Sequence, residues 1–293
     1  MQPEPLRNAL GTLGGQVQPW LLGILVAVLA IATLEGLVQT FIHKQAYDWR
    51  AYAASLADSL GRRLLDLAGI SIALPVLAWA YTNRLQTLDL ASPLAFLLLF
   101  AGQEFFYYCY HRAAHRVRWF WATHAVHHSP NQLTLASALR LGWTGRLSGT
   151  GLFFAPLIWL GFSPVAVFSA LALNLLYQFW LHAPWMPRLG PLEWVLNTPT
   201  HHKVHHGSNP EYLDCNYGGV LIVFDRLFGT FVDERADITI RYGLSTPLLT
   251  NNPLRIAVHE WVNLGRDLAA ASGWRKRLKV LFGPPRDLER TQP

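Results

Sequence analysis

Five apolar stretches limit what this chain can fold into: about 20–42, 64–81, 93–110, 147–160 and 164–181. A spanning helix needs about 20 apolar residues, and in lipid the backbone must satisfy its own polar groups, which helices do. The fourth stretch is short. It is expected to form a tight hairpin with the fifth, with Gly161-Phe162-Ser163-Pro164 as the break. Composition agrees with lipid as the solvent: 52% of residues are hydrophobic and 14% charged, against about 25% charged in an ordinary soluble domain. The expected fold class is an all-α integral membrane protein with four to five transmembrane or hairpin helices. A cytoplasmic helical cap follows, and 1–293 is read as one domain.

Basic residues give the orientation. Lys44, Arg50, Arg62 and Arg63 lie between the first two stretches, and Arg84 alone lies between the second and third. Arg112, Arg116, Arg118, Arg140 and Arg146 follow the third, so 111–146 and the C-terminal third are expected to face the cytoplasm. A net charge of +6 fits anionic headgroups better than nucleic acid, given twelve tryptophans and long apolar runs. Cys109 and Cys215 belong to no C-x-x-C pair, so no disulfide framework is expected. Residues 1–19 lack a basic start and a small-residue cleavage site, so the first stretch is read as retained. The tail 283–293 is expected to be disordered.

The chemistry lies in the histidines. Ten of twelve fall between His111 and His206. His111 and His115 form H-x-x-x-H, and His124, His127 and His128 form H-x-x-H-H. His201, His202, His205 and His206 form H-H-x-x-H-H, while His182 ends the fifth stretch. Positions i, i+3 and i+4 share a helix face, so each cluster can aim several imidazoles at one point. Sidedness puts all ten on the cytoplasmic side. Imidazole suits Zn, Cu, Fe and Ni, and ten are too many for one closed four-ligand site. Two metals in the helical cap are therefore expected. His43 and His259 belong to no cluster and read as structural.

At these spacings the chain resembles the fatty acid hydroxylase and sterol desaturase superfamily of membrane di-iron proteins. Within it the look is nearest to the alkylglycerol monooxygenase-like and bacterial members. The resemblance rests on Tyr107-Tyr108 before His111-Arg112, the run from His124 to Ser129, and Gln178 to His182. It continues through Asn197 to Gly207, Asn216 to Gly219, and Phe224 to Thr230. It implies a histidine-box core over about 97–234, with His111, His115, His124, His127, His128, His182, His202, His205 and His206 as metal ligands and His201 beside them. It also implies two Fe ions, which Zn can replace in purified protein, and O2 as co-substrate. The implied reaction is hydroxylation at a C–H bond of a lipid, with desaturation or carotenoid-ring hydroxylation as alternatives on the same scaffold. Glu104 stands where the family usually carries Asp, Cys109 where Trp is frequent, and Thr134 where Asn is common.

A metal-bound imidazole donates its second N–H to a carboxylate or carbonyl, so Glu104, Asp214 and Asp225 are candidate orienting groups. No G-x-G-x-x-G occurs, so electrons are expected from an external donor, a redox protein or a reduced pterin. A zinc hydrolase and a metal transporter are the readings outside oxygenase chemistry; the transporter would spread its histidines through the bilayer depth. The expected setting is a bacterial inner membrane with the metals facing the cytoplasm.

Overall fold

The structure, a computed structural model, describes residues 19–285; the expectations for 1–18 and for the tail from 286 onward fall outside the described residues. Among them it is helical, with β-pairing confined to the isolated bridges Leu196–Leu221 and Gly207–Tyr242. Helix α1, Pro19–Leu37, runs on into a π-helical turn, Val38–Ile42. Helix α2, Trp49–Asp66, starts at Asp48, whose carboxylate accepts from the N–H groups of Arg50 and Ala51, satisfying two otherwise orphaned donors.

The stretch 64–81 is not continuous. Helix α2 stops at Asp66, Gly69 turns the chain at φ 67°, and α3, Leu74–Thr82, has nine residues. It rises about 14 Å, half of a hydrocarbon core about 30 Å thick. Two helices among the described residues are long and apolar enough to cross a membrane, Leu22–Ile42 and Pro164–Leu181.

Helix α4, Pro93–Arg116, carries Pro93 in its first turn, where the missing N–H costs nothing. Its first half is apolar, and its second half holds the buried polar residues Glu104, His111 and His115. A single extended residue, Val117, separates it from α5, Arg118–His128. Helices α6, Ala155–Leu160, and α7, Pro164–Leu181, form the expected hairpin around Gly161. That glycine has φ 129°, which a side chain would strain. Ser163 then caps α7 by accepting from the Ala166 N–H. Short helices α8, Pro199–His205, and α9, Val223–Phe228, precede α10, Pro253–Ala270, and α11, Trp274–Phe282.

The apolar core lies among α3, α4, α6 and α7, around Leu77, Leu99, Leu157, Ile158 and Val167. Yet the most apolar 18-residue windows of the two long apolar helices are only 17% and 28% buried, so they are not the core of a soluble bundle. Leu22, Val26 and Leu34 on α1, Leu94, Phe96 and Leu97 on α4, and Leu173 on α7 are exposed. Exposed apolar surface of this extent fits a chain embedded in lipid. At the polar end, buried Arg118 pairs with Glu260 at 3.1 Å and Asp267 at 2.5 Å. Those two bonds clamp α5 to α10.

Candidate metal centre

Four helices deliver the imidazoles. His111 and His115 lie one turn apart on α4, and His124, His127 and His128 lie on α5. His182 is the C-cap of α7; His202 and His205 lie on α8, with His206 as its C-cap. All nine are buried. They separate into two groups. His111, His115, His124, His128 and His205 form one, and His127, His182, His202 and His206 the other, with ligand atoms in each group lying within 4.8 Å of one another. Helical spacing explains the division: the i, i+4 pairs His124/His128 and His202/His206 each stay in one group. His127 and His205, one residue off, cross to the other. The groups abut, with the His128 and His206 rings stacked at 4.4 Å.

Four of the rings are held by backbone carbonyls. The Nδ1 atoms of His111, His182 and His205 lie 2.8 Å from the carbonyls of Tyr217, Gln178 and Cys215, and that of His127 lies 3.1 Å from Arg140. A carbonyl only accepts, so these Nδ1 atoms carry the proton and the Nε2 lone pairs face inward. The inward atoms crowd together. Nε2 separations are 3.0 Å for His111–His124, 3.3 Å for His127–His182, 3.2 Å for His182–His202 and 3.1 Å for His202–His206. The Nε2 atoms of His115, His128 and His205 are buried with no hydrogen-bond partner. An unsatisfied buried polar atom costs about 1–3 kcal/mol, and a cation among them would satisfy all three. The donor set fits a metal. Burial also holds His127 down to about 4 and His205 down to about 3, so both are neutral at pH 7, the form that ligates.

Two of the three carboxylates, Glu104 and Asp225, act one layer further out than expected. Only Asp214 faces a ring, with Oδ1 3.7 Å from His115 Nδ1 and Oδ2 2.8 Å from Arg116. Glu104 accepts from Asn174 Nδ2 at 2.6 Å and from the N–H groups of Val220 and Leu221 at 2.8 and 2.9 Å. Asp225 accepts from the N–H groups of Tyr217 and Gly218 at 2.8 and 2.7 Å, and from Thr230 Oγ1 at 2.7 Å. Both therefore fix the loop whose Tyr217 carbonyl orients His111. Asp214 and Asn216 sit at φ 60° and 55°, a left-handed conformation uncommon for residues with side chains. The Asn216 amide holds it there, donating to the His201 and Val232 carbonyls and accepting from the Val232 N–H.

Sequence reasoning gave no orienting role to the carbonyls of Arg140, Gln178, Cys215 and Tyr217, and none to the side chains of Asn174 and Gln178. The signal for the latter pair was present: they stand four and eight residues before His182 in an otherwise apolar helix, where polar residues are rarely idle. Gln178 donates to Asn174 and accepts from the Tyr107 hydroxyl, both while buried. His201 is in neither group, its ring lying edge-on to Phe231 at 5.3 Å. His259 is likewise apart, with Nδ1 on the Ile256 carbonyl. A cavity of about 40 Å³ adjoins the first group, lined by His115, Trp121, His128, His205, Ser208 and Asp214. It has room for a few water-sized molecules.

Gly218 sits where no side chain fits, because an added Cβ would collide with the Leu221 carbonyl and press on the Asp225 carboxylate. Gly218→Ala should displace the Tyr217 carbonyl and cost about 1–3 kcal/mol, as overpacking does. Metal analysis should find the loss at the His111 group first. Unchanged metal content and melting temperature would show that the loop does not hold His111.

Residues 96–230 match the fatty acid hydroxylase family model. The chain is 40% identical over 234 residues to an alkylglycerol monooxygenase of Xenopus tropicalis, covering 79% of this chain and 51% of that protein. Against the Homo sapiens alkylglycerol monooxygenase it is 38% identical over 233 residues, 79% of this chain and 51% of the relative. An ornithine lipid hydroxylase of Rhizobium tropici is 34% identical over 129 residues, 44% of this chain and 39% of the relative. The chain thus spans about half the length of the curated alkylglycerol monooxygenases it matches. No solved structure matches it.

Proposed function

Because the chain belongs to the fatty acid hydroxylase superfamily through residues 96–230, we propose that it is a membrane-bound two-iron monooxygenase that hydroxylates a C–H bond of a lipid. The observation that carries this reading is the pair of buried imidazole groups with Nε2 atoms aimed inward. His111, His115, His124, His128 and His205 would hold one iron, and His127, His182, His202 and His206 the other; His201 stays outside. Iron there would supply the activation of O2. The protein keeps the ligands neutral, fixes their tautomers through backbone carbonyls and excludes bulk water by burial.

In balance, one C–H bond and O2, with two electrons and two protons from an outside donor, give one C–OH and one water. That donor is a redox protein or a small reductant such as a reduced pterin. The ether lipids named by the alkylglycerol relatives are the first substrate to test, and ornithine lipids the second. We place the metals on the cytoplasmic side of a bacterial inner membrane, below four to five membrane-associated helices. The support is the run of Arg112, Arg116, Arg118, Arg140 and Arg146 around them. A lipid then enters sideways from the bilayer with its polar end near water.

Purified, iron-loaded protein in vesicles, supplied with a reductant and ¹⁸O2, should place one ¹⁸O atom in an alkylglycerol or ornithine lipid. The His259→Ala protein should do the same, within about 0.5 kcal/mol of the parent in stability. A desaturated product without label would convert the reading to a desaturase. Turnover that is independent of O2 and retained with zinc alone would end it.

A further inference from the structure

Helix α11 takes no part in the site. Its nine residues contain Arg275, Lys276, Arg277 and Lys279 and no acid, and none of the nine is buried. Trp274, Leu278 and Phe282 are spaced i, i+4, i+8 and are 67%, 44% and 58% exposed, so one face is an apolar stripe open to its surroundings. Arg275 and Lys279 border that stripe by helical geometry, about 100° per residue. The side-chain hydrogen bonds of the cations run to Ser272 and the Ala271 carbonyl; no carboxylate pairs with them among the described residues. The stripe continues the pattern of α10, where Leu254, Val258 and Val262 are exposed at the same spacing. Water gains nothing from such a face, and a soluble acidic protein would leave its Trp, Leu and Phe unmatched.

We propose that α11 lies on the bilayer surface, burying Trp274, Leu278 and Phe282 among the acyl chains of anionic phospholipids while Arg275, Arg277 and Lys279, which flank the stripe, bind their phosphates. Apolar area plus cations on one short helix is the chemistry of an interfacial anchor. The anchor is tied to the metal centre. The Gly283 carbonyl, just after α11, accepts from the Arg118 N–H that opens α5, and Pro285 lines the cavity beside His115 and His128. Docking thus fixes one wall of that cavity relative to the bilayer. The proposal rests on the membrane reading above, but not on the identity of the metal or the substrate.

The test uses the full chain in a Cys109→Ser background, since Cys215 is buried. An environment-sensitive fluorophore is placed by Leu278→Cys, and in a control by Val26→Cys on α1. Each protein is reconstituted in phosphatidylcholine vesicles with or without phosphatidylglycerol, and lipids brominated on the acyl chains serve as quenchers. Label at 278 should be blue-shifted and quenched when phosphatidylglycerol is present, and released at about 1 M salt, where the Debye length is about 3 Å. Combining Arg275→Gln, Arg277→Gln and Lys279→Gln should lower the docked-to-free ratio about a hundredfold, each cation contributing about fivefold. Label at 26 should be quenched in both lipids. Quenching at 26 with water-like emission at 278 overturns the anchor and leaves the membrane reading intact. No quenching at 26 overturns both. A shift at 278 that appears only when a soluble acidic redox protein is added assigns the face to a protein instead.

Discussion

His128→Ala and His202→Ala should each remove one metal from the protein, taking content from about two ions per chain to about one. Each ring belongs to a different group, and each loss leaves the other group's ligand atoms in place. Lipid oxidation should fall at least ~100-fold in either variant, since even outer-layer partners of a metal site are worth about 10–100-fold. The two effects should not add, because a centre that needs both ions is already silent without one. Metal content that stays at two in both variants would dissolve the two-group assignment. Content falling to zero in one of them would mean that a single cooperative cluster holds both ions.

Glu104→Ala should be the most damaging change among residues that touch no imaginable ligand. It would leave three buried donors, Asn174 Nδ2 and the N–H groups of Val220 and Leu221, without an acceptor. At about 1–3 kcal/mol each, the loss is at least about 3 kcal/mol. The consequence spreads in two directions. Asn174 releases Gln178, whose carbonyl orients His182, and the 217–221 loop releases the carbonyl that orients His111. Thermal unfolding in detergent should drop sharply and both metals should be lost. Glu104→Gln keeps the shape but gains an amide donor facing other donors, so it should recover only part of the stability. An alanine variant that melts like the parent would show that the loop is held some other way.

The histidine clusters were legible because helical periodicity links spacing to direction, and nine of the ten expected positions converge in two groups. His201 could not be separated from His202 by spacing alone; its ring lies edge-on to Phe231, while its carbonyl accepts from the Asn216 amide. The apolar hairpin at Gly161 was equally legible, since Gly, Ser and Pro punctuate it in order. The stretch 64–81 was not. Hydropathy sums over it without registering that Asp66 and Gly69 end one helix before Ala73 and Pro75 can start the next. Of the three carboxylates, Asp214 lies beside a ring, whereas Glu104 and Asp225 reach the rings only through the backbone. Glu104 and Asp225 hold backbone N–H groups more than a hundred residues and seven to eight residues away, respectively, and such pairings depend on the path of the loop.

Cys215, Tyr217, Arg140 and Gln178 orient imidazoles with atoms that every amino acid possesses. Substituting their side chains leaves those carbonyls in the chain, so a survey by point mutation would pass over four of the groups that set the tautomers. Cys215→Ala should therefore keep His205 aligned, whereas moving the loop that bears it should not. The heritable information for this part of the centre resides in the trajectory of the backbone, written in neighbours such as Asn216 and Gly218 and in the distant Glu104. Drift can exchange the letter at an acceptor position while the proton on its ring stays where it is, as long as the backbone keeps its path.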